Sequence, residues 1–250
     1  MRAIDRHAWN NGWRNWHPAE KLLPAFGLLL LTLVQPPLTT GPLVLASLVL
    51  AMVGGAGVPL RAVLGMLLAP LLFLLAGIPF LAVSMDFSNG LAFQFSAEGW
   101  RLALSTAARS LAAIGCLAFL ALTTPLTDWA PLLRRIGVPA GVVELILLIY
   151  RLIFIFVERT LTGQRAQQAR LGYSRFDRSL KSLGLLAGNV FQRGLAQARR
   201  LEIGLAARAY DGELRVLEPE RALSWPRLAL AMGGVGLIGL AGGMLARGSP

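Results

Sequence analysis

Apolar positions along the chain gather into long runs separated by short polar or Pro- and Gly-rich breaks. Residues 22–34 run apolar up to Gln35-Pro36-Pro37, and residues 42–53 run up to Gly54-Gly55-Ala56-Gly57. Each is short for a hydrocarbon core of about 30 Å, which takes roughly 20 helical residues, so the pair predicts a tight hairpin of two short or tilted spans. Residues 61–83, 100–124 and 225–245 are each long enough to cross alone. Pro70 and Pro79 should kink the first of these, because each removes a backbone donor. Gly233-Gly234-Val235-Gly236 in the last span permits close helix contact.

Residues 138–157 are apolar too, and the charges around them decide how they are read. Residues 84–99 hold Asp86 and Glu98 with no basic residue, which places that loop outside. Arg134 and Arg135 put the next connection in the cytoplasm, and residues 159–224 carry twelve basic residues against six acidic ones. Both ends of 138–157 then face one side, which a single crossing cannot do. Glu144, Arg151 and Glu158 recur every seven residues and share a helical face. A charge at mid-bilayer costs about 2.5–3.5 kcal/mol on insertion scales, so this segment is expected to lie along the interface or pack on other spans. The expectation is an all-α polytopic membrane protein with five spans and a cytoplasmic N-terminus. A sixth crossing at 138–157 is the alternative. The division is 1–21 as a basic N-terminal segment, 22–124 as four spans, 125–224 as cytoplasmic or interfacial helices, and 225–250 as the last span and tail.

Composition supports lipid as the solvent. Of 250 residues, 55% are hydrophobic and only 15% charged, with mean hydropathy +0.60, while a soluble domain is nearer a quarter charged. Net charge is +11, and all but Lys21 and Lys181 of the 24 basic residues are arginine. Cys116 is the one cysteine, which excludes a disulfide scaffold. Residues 1–20 are basic and contain Trp9, Trp13 and Trp16, without the apolar core of a signal peptide. Trp beside Arg suits an anchor at headgroup level; the other arrangement is a tail folded onto the body.

Residues 159–224 bury too little apolar area to fold as an independent domain. Phe191, Leu195, Ala198, Leu201 and Leu205 step by three and four as one helix stripe, and 159–170 is similarly helical. Two long amphipathic helices joined near residues 173–177 result, with Gly172 and Gly212 as stop signals. Their ends resemble each other. Ala169-Arg170-Leu171-Gly172-Tyr173 closes one, and Ala207-Arg208-Ala209-Tyr210-Asp211-Gly212 closes the other. An arginine between small or apolar residues on a helix tip can enter a groove and fork to carboxylates or carbonyls there. A lone arginine is more simply explained by the helix dipole or anionic lipid. Two copies on consecutive helices favour docking.

Other chemistries lack their residues. Neither lysine has a Walker A context, so the chain is not expected to bind and hydrolyse ATP itself. His7 and His17 are both N-terminal and read as headgroup-boundary residues, and no metal site or cofactor is expected. Asp128 with Glu144 could form an acid–base pair, but no nucleophile accompanies them. Arg109, alone inside the fourth span, reads as bonded to backbone or an adjacent helix. A membrane enzyme holding anionic lipid headgroups is the rival function. Nucleic acid is not expected as a partner, because stacking aromatics are not interleaved with the arginines.

Ile4-Asp5-Arg6 and His17-Pro18-Ala19-Glu20-Lys21-Leu22-Leu23 resemble the start of the T component of energy-coupling factor transporters. Leu132-Leu133-Arg134-Arg135-Ile136-Gly137-Val138-Pro139, the run from Glu144 to Tyr150-Arg151, and both Ala-Arg elements are similar to that family, in detail to the CbiQ-type subunit of cobalt transporters. The family's usual Ala-Arg-Gly stands here as Ala169-Arg170-Leu171 and Ala207-Arg208-Ala209. The resemblance implies a multi-pass subunit of a bacterial inner membrane that joins two cytoplasmic ATPase subunits to a membrane protein capturing the metal, with lipid around it. Arg170 and Arg208 would dock on the two ATPases, and ATP-driven closure would draw the tips together.

Overall fold

In lipid, a helix satisfies its backbone donors and acceptors internally, so apolar runs become helices. The computed structural model describes residues 2–86, 92–95, 97–209 and 221–248, and among them nine α-helices form. These are α1 (Arg2–Trp9), α2 (Pro18–Val34), α3 (Pro37–Leu50), α4 (Leu60–Ala82), α5 (Ala97–Thr123), α6 (Ala130–Arg135), α7 (Ala140–Ala169), α8 (Phe176–Ala206) and α9 (Trp225–Gly248). A π-helical turn, Ala51–Gly55, prolongs α3, and a 3-10 turn, Leu126–Trp129, follows α5. Within the expected outward loop, strands β1 (Val83–Asp86) and β2 (Ala92–Phe95) pair antiparallel, Val83 opposite Phe95. The protein is an all-α polytopic membrane protein with this small hairpin added.

Among the described residues five helices are long and apolar enough to cross a membrane: Pro37–Gly55, Leu60–Phe80, Ala97–Thr123, Ala140–Ala169 and Trp225–Arg247. The number matches the sequence expectation, but the members differ. With 17 residues, α2 rises only about 26 Å. In its place stands α7, the 30-residue helix Ala140–Ala169, which joins most of residues 138–157 to 159–169 without a break. Glu158 and Arg159 are good helix formers and do not interrupt it. Both early spans also begin sooner than their apolar runs. Pro18 and Pro37 open α2 and α3, where a fixed φ suits the first turn, and the His17 Nδ1 caps α2 by accepting from the Ala19 N–H at 3.1 Å. His17 is therefore buried at a helix start, where it caps α2. Pro70 and Pro79 sit inside α4, which continues through both.

The chain divides into two compact units, Met1–Asp128 with Pro219–Pro250, and Trp129–Glu218. In the first unit α5 is central, with Ala112, Cys116, Ala118, Phe119 and Leu122 buried. It approaches α3 so closely that a Cβ on Gly41 would stand 3.0 Å from the Ala108 carbonyl oxygen, tight enough that the neighbouring backbone would have to give by a few tenths of an ångström. Gln35 ties the α2–α3 corner to α9, donating to the Gly239 carbonyl at 3.0 Å and accepting from the Thr40 hydroxyl at 3.1 Å. The described residues give Arg109 no hydrogen bond or ion pair, and its side chain is exposed. The expected bond to backbone or a neighbouring helix is not made.

The Trp-bearing N-terminal segment folds back onto this unit. The Asn11 amide donates to the Thr123 carbonyl at 3.1 Å, and the Gly12 N–H to the Ala56 carbonyl at 2.8 Å. Trp13 stacks on Trp16 at 4.7 Å between centroids and meets the edge of Phe119 at 6.0 Å. Beside them lies a knot of buried charge. Asp128 accepts from Arg14 and from Arg221, each at 2.6 Å, while Lys21, 2% exposed, donates to the Thr123 carbonyl at 2.9 Å. Glu20 accepts from the Ser224 N–H at 2.7 Å. Each of these bonds joins the N-terminal segment, the end of α5 or the start of α9 to another of the three. Asp128 is thus the counter-ion of two guanidinium groups, a structural role distinct from the acid–base pairing imagined with Glu144.

Two arginine-bearing helix ends

The second unit contains α6, α7 and α8. The latter two run antiparallel: Phe156 packs over Gly194, and Leu186 packs over Gly163. The half-buried seam of α8 includes Leu186, Val190, Leu201 and Leu205, spaced in threes and fours or their sums. The expected stripe is therefore split. Leu201 and Leu205 belong to the seam, but Phe191, Leu195 and Ala198 are exposed, one helical position off the packed face. Periodicity identified an amphipathic helix, and two adjacent apolar stripes left its orientation open. On α7, Glu144 is buried while Arg151 and Glu158 are exposed, so the shared face meets different surroundings along its length.

Residues 170–175 join the two helices, close to the expected 173–177. The turn is closed by its own side chains. Tyr173 donates to the Gln167 side chain at 2.7 Å, Gln167 donates to the Ser182 carbonyl at 3.0 Å, and Ser182 donates to the Gly172 carbonyl at 2.9 Å. A Cβ on Gly172 would meet the Ser182 Oγ at 2.8 Å and the Gln167 carbonyl oxygen at 2.9 Å, so only glycine fits there.

Helix α7 ends in a Schellman arrangement around Arg170. The Leu171 N–H donates to the Gln168 carbonyl at 3.0 Å, the Gly172 N–H donates to the Gln167 carbonyl at 2.9 Å, and Leu171 is left-handed with φ 56°. The end of α8 repeats the short i→i−3 bonds and the left-handed residue, while the donor of a second, longer bond would be Tyr210, outside the described residues. The Arg208 N–H donates to the Leu205 carbonyl at 3.0 Å, the Ala209 N–H to the Ala206 carbonyl at 3.2 Å, and Ala209 has φ 52°. Among the described residues, these two are the non-glycine residues with positive φ. Each arginine therefore sits immediately before a left-handed residue. Ala169, Arg170, Leu171, Ala207, Arg208 and Ala209 are all exposed, and neither guanidinium has a partner among the described residues. The stop is one residue earlier than Gly172 suggested; Tyr210, Asp211 and Gly212 lie outside the described residues.

A left-handed residue with a Cβ costs roughly 1–2 kcal/mol, and backbone strain of this kind gathers at functional sites. Leu171→Gly and Ala209→Gly should each raise stability by about 1 kcal/mol, since neither side chain contributes much packing (Leu171 is 68% exposed). Thermal unfolding in detergent checks this; a lower midpoint would show that the side chains hold the turns.

The two ends are set by α8 itself. Arg170 is anchored beside its first turns and Arg208 follows its last, so a 31-residue helix rising about 46 Å separates them. The arrangement offers two cations on rigid, exposed tips. Among the described residues no group of three or more His, Cys, Asp or Glu side chains could hold a metal ion.

The model of the family CbiQ, cobalt transport protein, matches residues 10–218. The cobalt transport protein CbiQ of Rhodobacter capsulatus is 39% identical over 223 residues, 89% of this chain and 90% of that one. The cobalt transport protein CbiQ of Salmonella typhimurium is 27% identical over 86% of this chain and 100% of its own length. A putative fused cobalt transport protein CbiMQ of Methanocorpusculum labreanum is 33% identical over 128 residues, covering 51% of this chain and 21% of that protein.

Proposed function

The chain belongs to the CbiQ family of cobalt transport proteins, and from that membership we propose that it is the energy-coupling membrane subunit of an importer for cobalt. It joins two cytoplasmic ATPase subunits to a separate membrane protein that captures the metal. The observation that carries this reading is the repeated helix end. Arg170 and Arg208 occupy matching backbone settings, both exposed and unpaired among the described residues, at opposite ends of α8.

Each tip enters a groove on one ATPase, where the guanidinium forks to carboxylate or carbonyl oxygens. Left-handed Leu171 and Ala209 turn the chain away just beyond each arginine, so the tip ends bluntly. Residues 125–224 form the coupling region, in which α7, although long and apolar enough to cross, lies along the interface or packs on other spans, and the net positive charge of residues 159–224 keeps the tips on the cytoplasmic side of a bacterial inner membrane. Because α8 is one hydrogen-bonded helix between the tips, their approach is limited by its length. ATP-driven closure of the ATPases swings α8 as a lever and passes that motion to the metal-capturing protein. The fused relative, whose name joins CbiM and CbiQ, supports a partner working beside this subunit in the membrane.

Proteoliposomes loaded with combinations of the three components test the reading. ATP-dependent uptake of radioactive Co2+ should require this chain together with the ATPases and the capturing protein, and should fall to background when this chain is left out. Uptake or ATP hydrolysis by this polypeptide alone would overturn it.

A further inference from the structure

Arg109 lies on α5, about 18 Å of helix rise from Ala97 and about 21 Å from Thr123. That places its charge near the middle of a span, beyond the distance over which an arginine side chain can reach headgroups at either end. Nothing in the described structure neutralises it. Buried or membrane-embedded arginines are held by carboxylates or carbonyls, because an unpaired guanidinium in hydrocarbon is costly.

The surroundings of Arg109 form one stripe. Leu102, Thr106, Arg109, Ala113 and Leu117 step by four, three, four and four, so they share a helical face. Leu102 and Leu117 are 57% and 58% exposed, Thr106 is exposed and Ala113 half-buried. Other faces of α5 pack on α2, α3 and α4. The side chains next to the arginine are small, which lets a second helix come close, while the leucines at each end offer apolar contact. Pairing with a lipid phosphate at this depth would require the bilayer to thin around α5, whereas a carboxylate on a neighbouring helix pairs without that deformation.

We propose that this stripe seats a transmembrane helix of the metal-capturing partner, which carries an aspartate or glutamate at the depth of Arg109. The guanidinium forks to that carboxylate, and the pair fixes the partner's depth and rotation against α5. The inference rests on the proposed function for the identity of the partner, but not on docking by Arg170 and Arg208.

The test uses the complete complex, purified on a tag carried by this chain, with both the capturing protein and the ATPases measured in the same preparations. Arg109→Leu and Arg109→Glu should lower the retained capturing protein at least tenfold with ATPase content unchanged, while Arg109→Lys should keep most of it. Replacing one intramembrane carboxylate of the capturing protein by arginine should restore binding to the Arg109→Glu chain. Full retention with Arg109→Leu, or no restoring exchange among the intramembrane carboxylates, would overturn the proposal. For the subunit alone in detergent, Arg109→Leu should unfold no earlier than the parent; earlier unfolding would assign the arginine an internal structural role and defeat the proposal. Loss of ATPases on Arg170 and Arg208 replacement is scored separately, so the two readings can fail independently.

Discussion

Replacing Arg170 and Arg208 together with glutamate should release the ATPase subunits from the detergent-purified complex and abolish ATP-dependent Co2+ uptake. A hydrogen bond to a charged group contributes about 1.5–3 kcal/mol, so losing one tip should weaken its docking roughly 10- to 100-fold. Reversing the charge adds repulsion against any carboxylate in the groove. With both tips altered, no strong attachment remains, and retained ATPase should fall at least a hundredfold. The substitutions should leave the fold intact, because both side chains are exposed and bond to nothing among the described residues. An unchanged unfolding midpoint with lost ATPase identifies docking. Unchanged co-purification and uptake would refute it. Single replacements should give intermediate losses, and lysine at either position should be a partial substitute, since an ammonium supplies charge without the planar fork.

The second large effect lies far from those tips, in the knot of charge around Asp128. Asp128→Ala should destabilise the chain by about 3–5 kcal/mol, the usual result of removing one partner from a buried ion pair. Here the aspartate answers two cations at 2.6 Å, and its side chain is only 7% exposed. Its loss leaves Arg14 and Arg221 facing each other beside buried Lys21 with no opposing charge at their centre. For a chain of this size the midpoint should drop by roughly 6–20 °C. Arg14→Ala should cost less, because Arg221 keeps its carboxylate. A shift in Asp128→Ala smaller than that in Arg14→Ala would show that the aspartate is not the hub. Asp128→Asn, which keeps shape and loses charge, should fall between parent and alanine.

The two predictions illustrate how differently the sequence exposed the two regions. The tips were legible because a pattern occurred twice: Ala-Arg, then a small or apolar residue, each time at the end of an amphipathic stretch. What could not be read was that Leu171 and Ala209 are left-handed, since neither is a residue type that favours that conformation. The Asp128 knot left no local trace. Its partners stand 114 and 93 positions away in the chain, and an aspartate near a helix start has many possible roles. Trp13 and Trp16 show the same limit: their residue type suits a headgroup layer, and only the structure shows that they stack on each other and that Trp13 meets Phe119.

The spans show the same division. Apolar runs found the helices because each run must bury its backbone in hydrocarbon, but their ends were set by caps and prolines that lie outside the runs. His17 with Pro18 starts α2 early, and Pro37 does so for α3. Residues 138–157 and 159–170 looked like two segments on charge alone, although nothing in their backbone breaks the helix between them.

By itself, the sequence determined that this is a helical membrane protein with a basic region between its apolar runs and two matched arginine ends. Hydropathy, charge and repetition are local properties, carried by residue type and short spacing. Tertiary structure alone decided which stripe of α8 packs on α7, that the N-terminal segment closes over the end of α5, and that Arg109 meets no counter-charge among the described residues. Those outcomes depend on which distant side chains meet, and the free energy of each contact exists only once the helices are in place.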